Sequence, residues 1–373
     1  MNGSPHQRSQ VPPGVQCFLG EEARRRRRIE ERVVSVFEGW AYEEIIPPLF
    51  DYADVFAGPA LAPRTYTFVG RDGSLLALRP DFTSLLAKIA AGRLADRPAP
   101  LRLYYSGEVL RYEPPKAGRQ SELHQMGLEH LGGVGPAADA ETLAIAAECL
   151  DAVGAADWVL AVGHVGVFNG LVAGLALDAD VLERLRERVE AKDGAGVRDV
   201  LGTGGVTGGV TSAGIDALTR LTLLAGGIAV LDEAAEAFAR WPAAIAALGE
   251  LRAIVDALVA AGLGDRLAID LGEVRGLDYY TGFVFRAYAR GIGFEVGSGG
   301  RYDTLLARFG RPLPAVGFMF GLDRLALLVD REALAVPEPA AEEVPSADVA
   351  GGLTRARALR AEGRRVRLSG GRA

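Results

Sequence analysis

Two extended runs constrain this chain most: LRLYYSGEVLRYE, from Leu101, and SELHQMGLEHLG, from Ser121, with PPKAGRQ between them. Both read as strands, and the polar, basic loop rich in Pro and Gly reverses the chain, so the two pair antiparallel. The pleat of a strand repeats every two residues. Gln125, Gly127 and Glu129 therefore share one face, and an amide and a carboxylate point into the same space.

The rest of the chain arranges itself around that pair. EEARRRRRIEERVVSVFEG, Glu21 to Gly39, carries acids in its first turn and apolar residues at helical spacing (Ile29, Val33, Val34, Phe37), which predicts an amphipathic helix. Its five arginines, Arg24 to Arg28, stand beside Glu21, Glu22, Glu30 and Glu31 and are expected on a solvated face. RTYTFVGRDGSLLALRPD predicts a hairpin turning at Asp72-Gly73, and TSLLAKIAAGRL a helix. From Val165 to Leu263 the chain is Ala/Leu-rich and helical, interrupted by a glycine cluster, Gly202 to Gly214, that reads as a flexible loop. Strands return with RLAIDLGEV, RGLDYYTGFVFRAYA and FEVGSGGRYD, and GLDRLALLVD closes as a helix.

The expected fold class is α+β, a mostly antiparallel sheet flanked by helices with a helical insertion. The expected divisions are a flexible segment 1–20, a core in two parts (21–164 and 264–331), the insertion 165–263 and a linker with a short basic remnant at 332–373.

Composition narrows the function classes. The 373 residues are 49% hydrophobic and 24% charged, enough to bury a sizeable core, and the net charge of −7 argues against a chain built mainly to hold nucleic acid. Cys17 and Cys149 stand far apart, so neither a disulfide framework nor a Cys-based zinc site is expected, and His6, His124, His130 and His164 lack ligand spacing. The start of the chain, MNGSPHQRSQVPPG, is no apolar signal core. A cytoplasmic location without membrane contact is expected, with no cofactor.

The residues left to carry chemistry are arginines, acids and tyrosines on strands: Arg111 and Glu113 at a strand end, Arg119 in the loop, Gln125 and Glu129, Arg275 and Tyr280, and Arg324 on the last helix. Carboxylates can fix an ammonium group, while guanidinium groups hold a carboxylate or phosphates.

These segments carry a resemblance. YEEIIPPLFDY, RYEPPKAGRQSELHQMGLE and VGFMFGLDRL resemble, in order, the three motifs of class II aminoacyl-tRNA synthetases, while RGLDYYTGFVF and SGGRYD are similar to the two histidine-specific signatures of histidyl-tRNA synthetase. Two relatives share these signatures: the synthetase itself, and the regulatory subunit of ATP phosphoribosyltransferase, which keeps the fold without charging tRNA. RPDFT resembles the regulatory paralogue more than the synthetase. Leu123 stands where the synthetases place an adenine-stacking aromatic, Pro114 where histidyl enzymes carry a second arginine, and Ser121 where another is common. About forty residues follow the third motif, too few for an anticodon-binding domain.

The resemblance implies free histidine as ligand, held by Asp81, Thr83, Gln125, Glu129, Arg275, Tyr279 and Tyr280, and a vestigial nucleotide site at Arg111, Glu113, Arg119 and Arg324. It also implies a homodimer within a hetero-oligomer, partnered by the short-form catalytic subunit in the first step of histidine biosynthesis, with no enzymatic activity of its own. A histidyl-tRNA synthetase lacking its anticodon domain, or a synthetase-like binding module, is the alternative.

Overall fold

The computed structural model describes residues 11–112, 120–202, 211–274, 279–329, 340–345 and 347–369. They divide into a large unit, residues 1–17 and 26–330, and a small one, residues 18–25 and 331–373. In chain order the elements are α1 (Gly20–Gly39), β1 (Glu43–Glu44), β2 (Phe50–Tyr52), β3 (Thr67–Val69), β4 (Leu75–Leu78), α2 (Thr83–Ala91), β5 (Leu101–Leu110), β6 (Glu122–Leu131), α3 (Gly135–Ala152) and β7 (Trp158–His164). Then come α4 (Val165–Val172), α5 (Ala179–Glu190), α6 (Gly194–Gly202), α7 (Ser212–Leu221), β8 (Ala225–Gly226), α8 (Val230–Ala237) and α9 (Pro242–Ala260). The chain closes with β9 (Leu267–Asp270), β10 (Phe283–Ala289), β11 (Gly297–Arg301), β12 (Ala315–Gly321), α10 (Leu322–Leu328), β13 (Glu342–Pro345), α11 (Val349–Ala361) and β14 (Val366–Ser369).

Nine strands form the main sheet in the order β1-β5-β6-β12-β11-β10-β7-β9-β8. The β1–β5 and β7–β9 pairs are parallel and the others antiparallel. The β5–β6 hairpin runs in register from Leu101↔Leu131 to Leu110↔Glu122. A second sheet, β2-β4-β3, contains the hairpin whose turn needs Gly73, at φ +86°.

The two faces of the main sheet follow from its register. On one face, Ile29, Val33 and Phe37 of α1 are fully buried, and Phe37 packs on Tyr104 and Phe318 at centroid distances of 5.6 and 6.0 Å. Helix α3 belongs to the same layer, tied to β11 by a buried ion pair: Arg301 donates to both carboxylate oxygens of Asp139, through Nε at 2.9 and 3.2 Å, and to the Gly133 carbonyl at 3.0 Å. The other face carries Gln125 and Glu129, and beyond them, in register, Gly317, Ser298, Gly300 and Arg286.

Residues 165–263 are mainly helical and contribute β8 to the sheet edge beside β9. Thr211, at the end of the glycine cluster, caps α7 by accepting from Gly214 N; residues 203–210 lie outside the described residues. Within the small unit, β13 and β14 pair in parallel with α11 between them in sequence, over a core of Val344, Ala356 and Leu359. This βαβ unit occupies part of the stretch read as linker and remnant. From residue 11 the N-terminal segment is described too, and the Gly14 carbonyl accepts from Ser121 N at 2.8 Å.

Two local readings need correction. Among the five arginines, Arg27 and Arg28 are exposed, but Arg25 is buried against Glu22 and Arg26 reaches Asp323 at 2.8 Å. Such partners lie on a neighbouring turn or a distant helix, so charge pattern alone misses them. Tyr279 and Tyr280 precede β10 rather than lying in it. The Tyr280 ring lies over Gly300, where an added Cβ would meet it at 3.1 Å, so the chain passes across the sheet before joining it at Phe283.

Candidate functional site: a tyrosine-walled cleft

A cleft of about 360 Å³ opens on the face of the sheet opposite α1. Its floor is possible because the register sets glycines where side chains would fill it. At Gly317 a Cβ would stand 1.9 Å from the Glu129 carboxylate, and at Gly127 one would collide with the Tyr105 hydroxyl at 2.6 Å. Missing side chains thus make the volume, and their neighbours line it.

Glu129 sits at the centre of this floor, 2% exposed. Thr83 Oγ1 donates to its Oε1 at 2.7 Å, and the Tyr302 hydroxyl donates to its Oε2. Thr83 is the first residue of α2 and also hydrogen-bonds Tyr279, so hydroxyls from α2 and from the segment after β11 meet at one carboxyl, with the segment before β10 joined to them through Thr83. Burial raises the Glu129 pKa to about 8, further than the two hydroxyls lower it, and the Asp81 carboxylate adds to the rise. Gln125, four residues back on the same face, is buried as well.

The walls are aromatic. Tyr105 stacks on Phe82 at 4.0 Å between centroids, and Tyr279 meets Tyr280 and Tyr302 edge-on at 5.1 and 5.5 Å. Burial raises all four phenols, which keeps them protonated and able to donate at neutral pH. Asp81 faces the cleft but serves α2: its carboxylate accepts from Ser84 N at 2.8 Å and from Ser84 Oγ at 3.1 Å.

Guanidinium groups gather towards the rim. Arg111 donates through Nε to the Pro80 carbonyl at 2.7 Å, Arg286 donates to Glu273 at 2.7 Å, and Arg324 donates to the carbonyl and the carboxylate of Glu295 at 2.7 and 2.9 Å. Burial raises the Glu273 carboxyl to about 7 against the opposing pull of Arg286. The cleft is therefore acidic and phenolic at its base and charge-balanced at its rim. Such a lining suits a small zwitterion with a ring.

Of the residues picked from sequence, Asp81, Thr83, Arg111, Gln125, Glu129, Tyr279, Tyr280 and Arg324 line this one cleft. Glu113, Arg119 and Arg275 lie outside the described residues. Tyr105, Glu273, Arg286, Glu295 and Tyr302 were missed. Tyr105 had a signal: it pairs across the hairpin with Gly127, the residue between Gln125 and Glu129. Tyr302 sits inside SGGRYD but 173 positions from the carboxylate it holds, beyond any local pattern. Leu123 pairs with Val109 in the hairpin and packs on the hydrophobic core.

Comparison with known proteins follows the same outline. A family model described as histidyl-tRNA synthetase matches residues 14–325. An ATP phosphoribosyltransferase regulatory subunit of Moorella thermoacetica is 41% identical over 97% of this chain and 92% of its own length. The protein of that description from Desulforamulus reducens is 39% identical over 91% of this chain and 83% of its own. Among solved structures, one described as an ATP phosphoribosyltransferase regulatory subunit/histidyl-tRNA synthetase from Bacillus halodurans gives a TM-score of 0.84 at 29% identity, covering 96% of this chain and 92% of that one. A histidyl-tRNA synthetase from a Nostoc species gives 0.78 at 22% identity, over 98% of this chain and 86% of its own, a likeness of fold.

Proposed function

The chain belongs to the family of ATP phosphoribosyltransferase regulatory subunits, within the wider histidyl-tRNA synthetase family, and from that premise we propose that it binds free histidine in the tyrosine-walled cleft and confers histidine sensitivity on a catalytic subunit. The observation that carries this reading is Glu129, a buried carboxyl held by Thr83 and Tyr302 with hydroxyl partners only among its resolved hydrogen bonds. An ammonium or imidazolium arriving beside it supplies the positive charge that burial makes favourable. Gln125 and the four tyrosines give the ring a polar, aromatic enclosure, and the arginines of the rim attract the carboxylate.

In this reading the chain itself catalyses nothing. Arg111 and Arg324 spend donors on Pro80 and Glu295, and Leu123 belongs to the core, which leaves adenine without an aromatic platform from that strand. Assembly is part of the proposal. The segment resembling the first synthetase motif exposes Ile46, Leu49, Phe50 and Tyr52, with Phe68 5.8 Å from Phe50, an apolar surface suited to a second copy of the chain. No helix among the described residues is long and apolar enough to cross a membrane.

The test is reconstitution with a short-form catalytic subunit. The complex is expected to be more active than the catalytic subunit alone and to lose that activity as histidine is titrated. Histidine must then bind the inhibited state more tightly, since a ligand with equal affinity for both states shifts nothing. A catalytic subunit equally active and equally histidine-sensitive without this chain overturns the proposal. Histidine-dependent aminoacylation by the isolated chain favours the synthetase alternative instead.

A further inference from the structure

The loop between β9 and the signature tyrosines is held from outside the cleft. Asp270, at the end of β9, accepts from Gly272 N at 3.0 Å and from Lys192 Nζ. Leu271 N donates to the Leu224 carbonyl at 3.1 Å, just before β8. Two residues further, Glu273 accepts from Arg286 Nη2, and the same nitrogen lies 3.7 Å from Glu190, the last residue of α5. Glu190, Lys192, Leu224 and β8 all belong to the helical insertion. Glu273 and Arg286 line the cleft; Glu190 and Lys192 do not.

One guanidinium thus stands between two carboxylates of different origin, one on the insertion and one on the loop that runs into Arg275, Tyr279 and Tyr280. The Glu190, Glu273 and Arg286 side chains are 18%, 12% and 28% exposed, so solvent does little to screen them. If Glu190 loses its charge, one of the two carboxylates that fix Arg286 in place is gone, and Arg286 and Glu273, which both line the cleft, lose the geometry that the insertion sets.

We propose that Arg286 is a positioning residue through which the helical insertion sets the geometry of the cleft, so that ligand affinity depends on Glu190 although its side chain does not line the site. The coupling rests on the histidine reading only for the identity of its ligand. It makes the insertion a lever: whatever seats on α5 or β8 changes the cleft, and cleft occupancy changes the insertion by the same factor.

The test compares Glu190→Gln and Lys192→Met, each in the wild-type chain and in an Arg286→Gln background. Histidine affinity is measured by calorimetry, and backbone amide exchange is followed at residues 271–274 and 279–282. Glu190→Gln is expected to weaken histidine binding about fivefold or more, the lower bound of typical site-to-site coupling. That effect should vanish in Arg286→Gln, with exchange in the loop accelerated in the wild-type background only. Lys192→Met should speed exchange in the same segment without depending on Arg286. Affinity unchanged within about twofold, or an equal loss in both backgrounds, overturns the proposal. If the wild-type chain binds no histidine, the functional reading fails by itself, and the exchange comparison still decides the coupling: unaltered exchange in both single variants overturns it.

Discussion

Two carboxyls buried against opposite faces of one sheet meet opposite fates. Asp139, on the helix-covered face, is clasped by Arg301, and its pKa, raised by burial, reaches only about 6 because that arginine pulls it back. Glu129, on the open face, is met by two hydroxyls, and burial takes it to about 8. The first is a finished structural pair, whereas the second is the carboxyl proposed to meet the ligand's cation. Burial of a polar group does not by itself distinguish scaffold from site; what partners the group does.

The largest effect should come from breaking the finished pair. Arg301→Ala leaves Asp139 buried without its cation and strips hydrogen bonds from the Gly133 carbonyl, and it should cost about 3–5 kcal/mol of folding stability. Glu129→Gln, which keeps shape and removes only the capacity for charge, should cost far less. Denaturant unfolding of the two variants checks the contrast, and equal losses would erase the distinction between the faces.

Ligand binding should reverse that order. Glu129→Ala is expected to lose about 2–5 kcal/mol of histidine affinity, the penalty for truncating one partner of a buried charge pair. An Arg301 variant that still folds should bind within a few fold of wild type. Calorimetry on both settles it, and an unchanged affinity in Glu129→Ala removes Glu129 from the site.

The pH dependence should separate the faces by their windows. A carboxyl whose folded pKa is raised gives stability that is present below its unfolded value and lost as pH rises through the folded one. For Asp139 that loss falls between 3.8 and about 6, and for Glu129 between 4.5 and about 8. Glu129→Gln should therefore flatten the fall in stability above pH 6 and reduce it between 4.5 and 6, leaving there only the share of Asp139. A cationic ligand favours the ionised carboxylate, so histidine binding should release a proton and tighten from pH 6 to 8, by at most about tenfold per unit. Calorimetry in buffers of different ionisation enthalpy reads that proton directly; no proton release would contradict the assignment.

How much of this was legible in the sequence follows from the range of each interaction. The β5–β6 hairpin and the shared face of Gln125 and Glu129 were readable because pleat and turn chemistry are local. Helix α3 and strand β7 went unassigned, the helix being largely apolar all round with Ala138, Ala146, Ala147 and Leu150 among its buried residues, so no single stripe marks it. The contrast between Asp139 and Glu129 was invisible, because Arg301 lies 162 positions from the one and Tyr302 lies 173 from the other. Neighbouring residues in SGGRYD thus serve opposite faces, the arginine closing a structural pair and the tyrosine shaping a site. Sequence shows the string but not the pleat that parts its two halves.

The smallest effect tests a carboxyl that stands between these cases. Asp81 lines the cleft, as an amino-group ligand should, yet its oxygens accept from the backbone N–H and the hydroxyl of Ser84, satisfying a donor at the start of α2. If the helix claims it, Asp81→Asn keeps an acceptor for Ser84 and should cost about 1 kcal/mol of stability, within the range for weakened caps. Histidine affinity should then change by no more than about threefold, since a charge already spent on a helix terminus adds little at the ligand. The same substitution removes one of the charges that raise Glu129, so the pH at which histidine binding stops tightening should move down. A loss of affinity as large as that of Glu129→Ala would place Asp81 beside the ligand's ammonium, sharing the role proposed for Glu129.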